Sequence, residues 1–308
     1  MRQAALKHIH QLAKKDGRVV FIGSDLGSGT LEEMKIEYPD RFFMEGISEQ
    51  HMVGFAAGLA VEGFIPYMNT IGTFFTRRAY EQIALDIALH SLPVRILASG
   101  GGMVYAPLGP THTSIDDFSL MLNIPKMKVF APADAVEMLD ILDYSLTDSS
   151  PMFIRFGKGG EKIVTESMGR NPLVPKSFGV ANSTVTICTT GVLLQHALEA
   201  QEILSLKNIS VTVLHFPYLN VLGISNFFEN ISNSEIVIVA EEHIPRGGLF
   251  TQLLHEFYQN HLSVEKFIHL SLPASYSHNY GSQIDHFVSN LLTGRAMADL
   301  AIERLTSR

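Results

Sequence analysis

The sequence predicts an α/β protein made of two doubly wound units, each a mostly parallel sheet covered by helices on both faces. Three observations carry that expectation. Short apolar runs alternate with helix-period stretches along the whole chain, which is the pattern of repeated strand–helix–strand units. The alternation breaks once, after Phe156, in the Gly-, Pro- and charge-rich stretch "GKGGEKIVTESMGRNPLVPKSFG". At 308 residues the chain exceeds what one core usually serves, so two units of about 150 residues each are expected.

The elements follow in order. "MRQAALKHIHQLAKKDGR" reads as an amphipathic helix and lacks the apolar centre and cleavage site of a signal peptide. Strand candidates are then "RVVFIG", "FIPYMNT", "PVRILAS", "MKVFAP" and "MFIRF", with helical patterns between them. Beyond the break come "TVTICTT", a helix to about Leu206, "SVTVLHF", "EIVIVAEE", a helix after "RGG", and "KFIHLSL". The units therefore fall at residues 1–157 and 178–308, with a linker over 158–177.

Composition narrows the function. The net charge is −8 and the Lys and Arg residues are scattered, which argues against a nucleic acid or an anionic membrane as partner. No apolar run approaches the ~18 residues that span a bilayer. Cys188 stands alone in a strand-like run, so a buried, inert thiol and a cytoplasmic home are expected. The His residues show no metal-ligand spacing, so this chain by itself is expected to hold no metal.

Ligands of parallel sheets gather in the loops at the carboxyl ends of the strands. Four such loops are informative, all in the first unit: "GSDLGSGT", "EGISEQHM", "NTIGTFFTRR" and "SGGGMVYAPLGPTHTS". In the second, Glu49 heads a helix otherwise made of Gly, Ala, Val, Leu and Phe. A buried carboxylate there is costly unless something pairs with it. In "GPTHTSIDDF", Ser114 and Asp117 have capping-box spacing, so a helix should begin near Ile115. His112 would then stand before a helix N-terminus, where it can donate to a developing oxyanion or merely satisfy loop backbone. Phe74, Arg77 and Glu81 fall on adjacent turns of one helix face. They could clamp a flat heterocycle, or be a core ring beside a solvated ion pair. "GSGT" lacks the Lys-Ser/Thr of a phosphate loop.

Taken together, "GISEQHMVGFAAGLAVEG", "FFTRRAYEQI", "GPTHTSIDD" and "VFAPADAVEM" resemble the C-terminal half of transketolases and 1-deoxyxylulose-5-phosphate synthases. That half comprises the pyrimidine-binding and C-terminal domains of thiamine-diphosphate enzymes, and "VAEEHIPRGGLF" extends the likeness to nearly the whole chain. The resemblance implies that Glu49 hydrogen-bonds N1′ of the cofactor's aminopyrimidine, holding a proton at a dry site so that the ring can act as a base. It implies that Phe74 stacks on that ring, that Arg77 stands where the deoxyxylulose-type enzymes carry Arg, and that Asp25 and Leu26 approach the cofactor. His112 matches the His that binds the substrate carbonyl.

The departures from the family are equally specific. Ile71 replaces a second aromatic beside the pyrimidine. Leu108 replaces an Asp that reads a substrate hydroxyl, Gly100 and Gly101 replace phosphate-binding side chains, and Lys158 replaces a phosphate-binding Arg. In the family, Mg²⁺ (or Ca²⁺) and the diphosphate are held by another domain through a "GDG" motif, which this chain lacks. The resemblance thus implies a β-type subunit completed by a GDG-containing N-terminal subunit, in an α2β2 assembly. The reaction implied is transfer of a two-carbon ketol or related unit from a ketose or 2-oxo-acid donor to a carbonyl acceptor that is not an ordinary phosphosugar. Two other readings stand beside it: a 2-oxo-acid decarboxylating component, and a non-catalytic assembly subunit.

Overall fold

The computed structural model describes residues 1–25, 28–167, 171–220, 231–259, 261, 263 and 265–307. Among these, the strands form two sheets. The first contains β1 (Val19–Gly23), β2 (Phe42–Met44), β3 (Ile65–Ile71), β4 (Arg95–Ser99), β5 (Lys128–Phe130) and β6 (Met152–Phe156). Its order is β2-β1-β3-β4-β6-β5, with every pairing parallel. The second contains β7 (Lys176–Gly179), β8 (Val185–Thr189), β9 (Val211–His215), β10 (Ile236–Ala240) and β11 (Phe267–Leu270), ordered β11-β10-β8-β9-β7. Its pairings are parallel except that of β7 with β9. The two doubly wound units are as the sequence predicts.

The central strands β1, β4, β6, β8, β9 and β10 are buried along their whole length. This is why they read as continuous apolar runs and not as alternating ones. β2 escaped the sequence reading because three residues carry too little periodicity. β7 lies at the end of the stretch read as linker; it is an antiparallel edge strand with one residue in four buried. Cys188 is buried in the middle of β8, and burial pushes its thiol pKa up, so it is not a nucleophile.

The helices include α1 (Arg2–Lys15), α2 (Glu32–Glu37), α3 (Glu49–Val61), α4 (Gly72–Arg78), α5 (Tyr80–Gln82), α6 (Asp117–Leu122), α7 (Ala135–Ser145) and α8 (Leu194–Ser205). One of them, α7, pins the linker and the second unit to the first through two acidic residues. Asp134 caps α7 by accepting from the Val136 and Glu137 N–H groups, and it also accepts from the backbone of Val164 and Thr165 in the linker. One turn on, the buried Glu137 meets His215 Nε2 at 2.8 Å and Lys176 Nζ at 3.0 Å, both from the second sheet.

Burial alone would raise the Glu137 pKa, but His215 and Lys176 outweigh it and hold the carboxyl at about 2, below its ordinary 4.5. A depressed carboxyl stabilises the fold fully above pH 4.5 and loses that contribution as pH falls toward 2. The shift corresponds to about 3 kcal/mol. Urea midpoints measured between pH 6 and pH 3 should therefore fall on acidification. Glu137→Gln should lower the midpoint at pH 6 and flatten that acid slope.

Among the described residues, no helix is long and apolar enough to cross a membrane, and no group of three or more His, Cys, Asp or Glu could hold a metal ion.

Candidate active site

The carboxyl ends of β1, β2, β3, β4 and β6 lie along one edge of the first sheet, so Asp25, Glu49, Ile71, the Gly100–Ser114 loop and Lys158 share that edge. Leu26 lies outside the described residues.

Glu49 is the first residue of α3, and its position follows from the stripe that the helix buries. Glu49, Met52, Val53, Ala56, Ala57 and Ala60 are buried; they recur at helical spacing on the face turned to the sheet. Gln50, His51, Gly54 and Gly58 face outward. The acid is thus the leading residue of the apolar stripe, in the first turn where the helix dipole favours negative charge. It is 3% exposed. Its Oε2 accepts a hydrogen bond from Arg78 Nη1 at 3.2 Å, whereas its Oε1 is buried without a partner among the described residues. A buried oxygen with no donor asks for one from outside the chain. Glu49 and Arg78, with Ile47, Ser48, Gln50 and His51, line an open pocket of about 470 Å³.

Phe74 is half-buried on α4, with the Arg78 guanidinium 3.8 Å above its ring centroid. The His112 ring meets the same phenyl edge-on, centroids 5.3 Å apart. Glu49, Arg78, Phe74 and His112 therefore form one continuous neighbourhood. His112 Nδ1 lies 2.9 Å from Thr111 Oγ1, which leaves Nε2 as the nitrogen turned to other partners. Arg77 points elsewhere, donating to Asp116 at 2.9 Å and 3.3 Å. α4 ends at Arg78, and the chain restarts as α5 followed by a π-helical turn over Ile83–Ala88. Glu81 is consequently exposed and off the face of Phe74. The sequence reading passed over Arg78 because two adjacent arginines, three and four residues after Phe74, both fit one helix face.

Ile71 closes β3 and is half-buried. Asp25 is exposed and accepts from Ser24 Oγ at 2.9 Å. Leu108 is 55% exposed at the tip of its loop. Lys158 lines a separate pocket with Gln195 and His196 from the second unit.

The loop carrying His112 is closed by a two-bond bridge between Gly102 and Ser114. That bridge explains why the expected helix start near Ile115 is wrong. Ser114 is held in extended pairing, its hydroxyl donates to the Asp117 carboxylate at 3.1 Å, and α6 begins two residues later, at Asp117.

Asp117 belongs to a buried charged cluster that spacing did not reveal. Arg155, at the end of β6, donates to Asp117 Oδ1 at 3.1 Å and to Glu242 Oε2 at 3.2 Å. Burial pushes both carboxyl pKa values up, against the pull of Arg155. Gly101 and Gly102 make room for this cluster, while Gly100 makes room for Tyr105. A Cβ at Gly101 would come within 2.0 Å of the Arg155 side chain, and one at Gly102 within 2.1 Å of Glu242. In "VAEEHIPRGG", Glu241 accepts from the Leu249 and Phe250 N–H groups and so caps helix Leu249–Gln259. His243 Nε2 accepts from Ser119 N–H of α6 at 3.3 Å. Glu242 and His243 thus join the second unit to the first.

Comparison with known proteins agrees with this architecture. Residues 1–160 match the transketolase pyrimidine-binding domain and residues 179–286 the transketolase C-terminal domain. The chain is 31% identical over 305 residues to 1-deoxy-D-xylulose-5-phosphate synthase of Dictyoglomus thermophilum, covering 97% of this chain and 48% of that protein. It is 34% identical over 248 residues to the same-named enzyme of Dehalococcoides mccartyi, covering 80% of this chain and 38% of that one. The chain thus spans less than half the length of these curated relatives. Among solved structures, a split-gene transketolase described as an inactive β4 tetramer superposes with a TM-score of 0.87 at 27% identity, covering 99% of this chain and 98% of that one. Transketolase of Campylobacter jejuni shares the fold, with a TM-score of 0.80 at 18% identity over 98% of this chain and 46% of that one. Two domains in the family's order, over a sheet edge that gathers Glu49, Phe74 and His112, lead to one conclusion: the chain belongs to the transketolase family.

Proposed function

We propose that this chain is the β-type subunit of a split, thiamine-diphosphate-dependent transketolase, active only with a GDG-containing N-terminal subunit that holds the diphosphate and Mg²⁺ (or Ca²⁺), in an α2β2 assembly. The observation that carries the reading is Glu49. Its Oε1 is buried and without a partner among the described residues, and Arg78 links its Oε2 to the half-buried ring of Phe74, an arrangement that suits a ring nitrogen brought in over that phenyl. The near end-to-end likeness to a split-gene transketolase chain supports the division of labour.

When bound, the cofactor supplies a nucleophilic carbon that adds to a ketose or 2-oxo-acid carbonyl. Glu49 holds and shares a proton at Oε1. Arg78 restrains Oε2, and because its guanidinium covers one face of Phe74 the aminopyrimidine would take the opposite face or displace Arg78 from the ring. Ile71 and Asp25 flank that place. His112 Nε2 donates toward the oxygen on which charge develops in the substrate. Leu108 offers no hydrogen-bonding group to a substrate hydroxyl, and Lys158 lies toward the second unit. Both features point to a carbonyl acceptor other than an ordinary phosphosugar.

Isothermal titration tests the division. Thiamine diphosphate with Mg²⁺ should bind the lone chain weakly or not at all, and bind the pair tightly; tight Mg²⁺-dependent binding to the lone chain would overturn the proposal. His112→Ala should lower turnover of the assembled pair by about 100-fold without shifting the unfolding midpoint, since the side chain is only half-buried.

A second reading, decarboxylation of a 2-oxo acid, is favoured by the relatives at 31% and 34% identity. Release of carbon dioxide from pyruvate by the pair would select it.

A further inference from the structure

We propose that Arg78 is a gate on the cofactor site: its guanidinium occupies the place of the aminopyrimidine, and the ring enters by displacing it. The inference rests on the cofactor assignment above, and it names what must move before the ring can meet Glu49.

Neither of the two groups assigned to the ring is open to it in this conformation. Glu49 Oε1 is buried, so a ring nitrogen has no path to that oxygen. The open pocket of about 470 Å³ is lined by Glu49 and Arg78 but not by Phe74. The Arg78 guanidinium lies 3.8 Å above the centroid of that phenyl, while its Nη1 donates to Glu49 Oε2 at 3.2 Å. A flat cation stacked on Phe74 and donating to Glu49 makes, within the chain, the same two kinds of contact that the aminopyrimidine would make. A ring on the opposite face of Phe74 would leave Arg78 against the carboxyl. Displacement clears the phenyl face and the carboxyl in one movement.

Arg78 is free to make that movement. It ends α4, and its side chain is 48% exposed against 3% for that of Glu49. The guanidinium can therefore swing into water while Met52, Val53 and Ala56, the next buried residues of α3, stay packed. It gives up one half-exposed ion pair and one cation–π contact, both weak where water reaches them. The incoming ring restores a stack on Phe74 and a partner for the carboxyl, so on this chain alone the exchange is close to balanced. Net affinity then has to come from the diphosphate, which the reading above assigns to the other subunit. The same balance accounts for the weak binding expected of the lone chain.

Saturation-transfer NMR on the full chain, with thiamine as probe, tests the gate. Thiamine carries the aminopyrimidine but no diphosphate, so it makes no call on the groups assigned to the other subunit. Transfer to the pyrimidine protons should be larger in Arg78→Ala than in the wild type by about threefold, the effect of one exposed cation–π contact. Arg78→Lys can still pair with Glu49 but lays no flat group on Phe74, and its signal should fall between the two. Equal or weaker transfer in a folded Arg78→Ala chain would overturn the gate. If that variant does not fold, Arg78→Lys decides: a gain over the wild type supports the gate and no gain overturns it. Titration of the wild-type assembled pair with thiamine diphosphate and Mg²⁺ is a separate readout. Tight binding there without a gain in the variants sinks the gate alone; no binding there sinks the cofactor assignment and the gate with it.

Discussion

Glu49→Gln in the assembled pair should lower turnover by at least ~100-fold, the lower end for a positioned proton-transfer group. Glutamine keeps the shape and the hydrogen-bonding reach of the side chain but cannot hold a proton and release it. The loss should be confined to chemistry. Glu49 is the end residue of the stripe that α3 buries, and Met52, Val53, Ala56 and Ala60 hold the helix on the sheet without it. Glutamine also fills the same volume and removes only a pairing with the half-exposed Arg78, so the unfolding free energy should change by no more than about 1 kcal/mol. Unchanged turnover would instead favour the non-catalytic assembly role.

Arg155→Met should have the largest effect on stability. Arg155 is the cation between two buried carboxylates, Asp117 from the first unit and Glu242 from the second. Burial already raises both carboxyl pKa values with the arginine present. Removing it leaves two acids without a counter-charge in a site where Gly101 and Gly102 have been fitted to its side chain. Breaking a buried pair in this way costs about 3–5 kcal/mol. A shift below about 1 kcal/mol in urea unfolding would show that the cluster is solvated and that the units are joined elsewhere.

Much of this molecule was legible in the sequence for a plain reason. Central strands buried on both faces are apolar at most positions, so "VVFIG", "RILAS", "MFIRF" and "IVIVA" announce themselves despite the buried Arg95 and Arg155. Glu49 stood out by the same logic, as a charge at the end of an apolar stripe. What stayed hidden depends on three-dimensional pairing. The Ser114–Asp117 spacing mimics a capping box, but Asp117 is claimed by Arg155 from β6, and the helix starts late. Gly101 and Gly102 resemble a ligand loop, yet they are space reserved for Arg155 and Glu242, residues far along the chain. The choice between Arg77 and Arg78 turns on where α4 stops, a boundary that no propensity marks. The packing of Tyr280 against Gly109 joins two loops far apart in the chain, so it could not be read before the fold.

The central claim is that Glu49 tunes a borrowed heterocycle from this chain's side of a shared pocket. Exchange of the cofactor's thiazolium C2 proton with deuterium, followed by NMR in the assembled pair, addresses it without reference to any substrate. The account predicts fast exchange in the wild-type pair and a fall of at least ~100-fold with Glu49→Gln; equal rates in the two would contradict it.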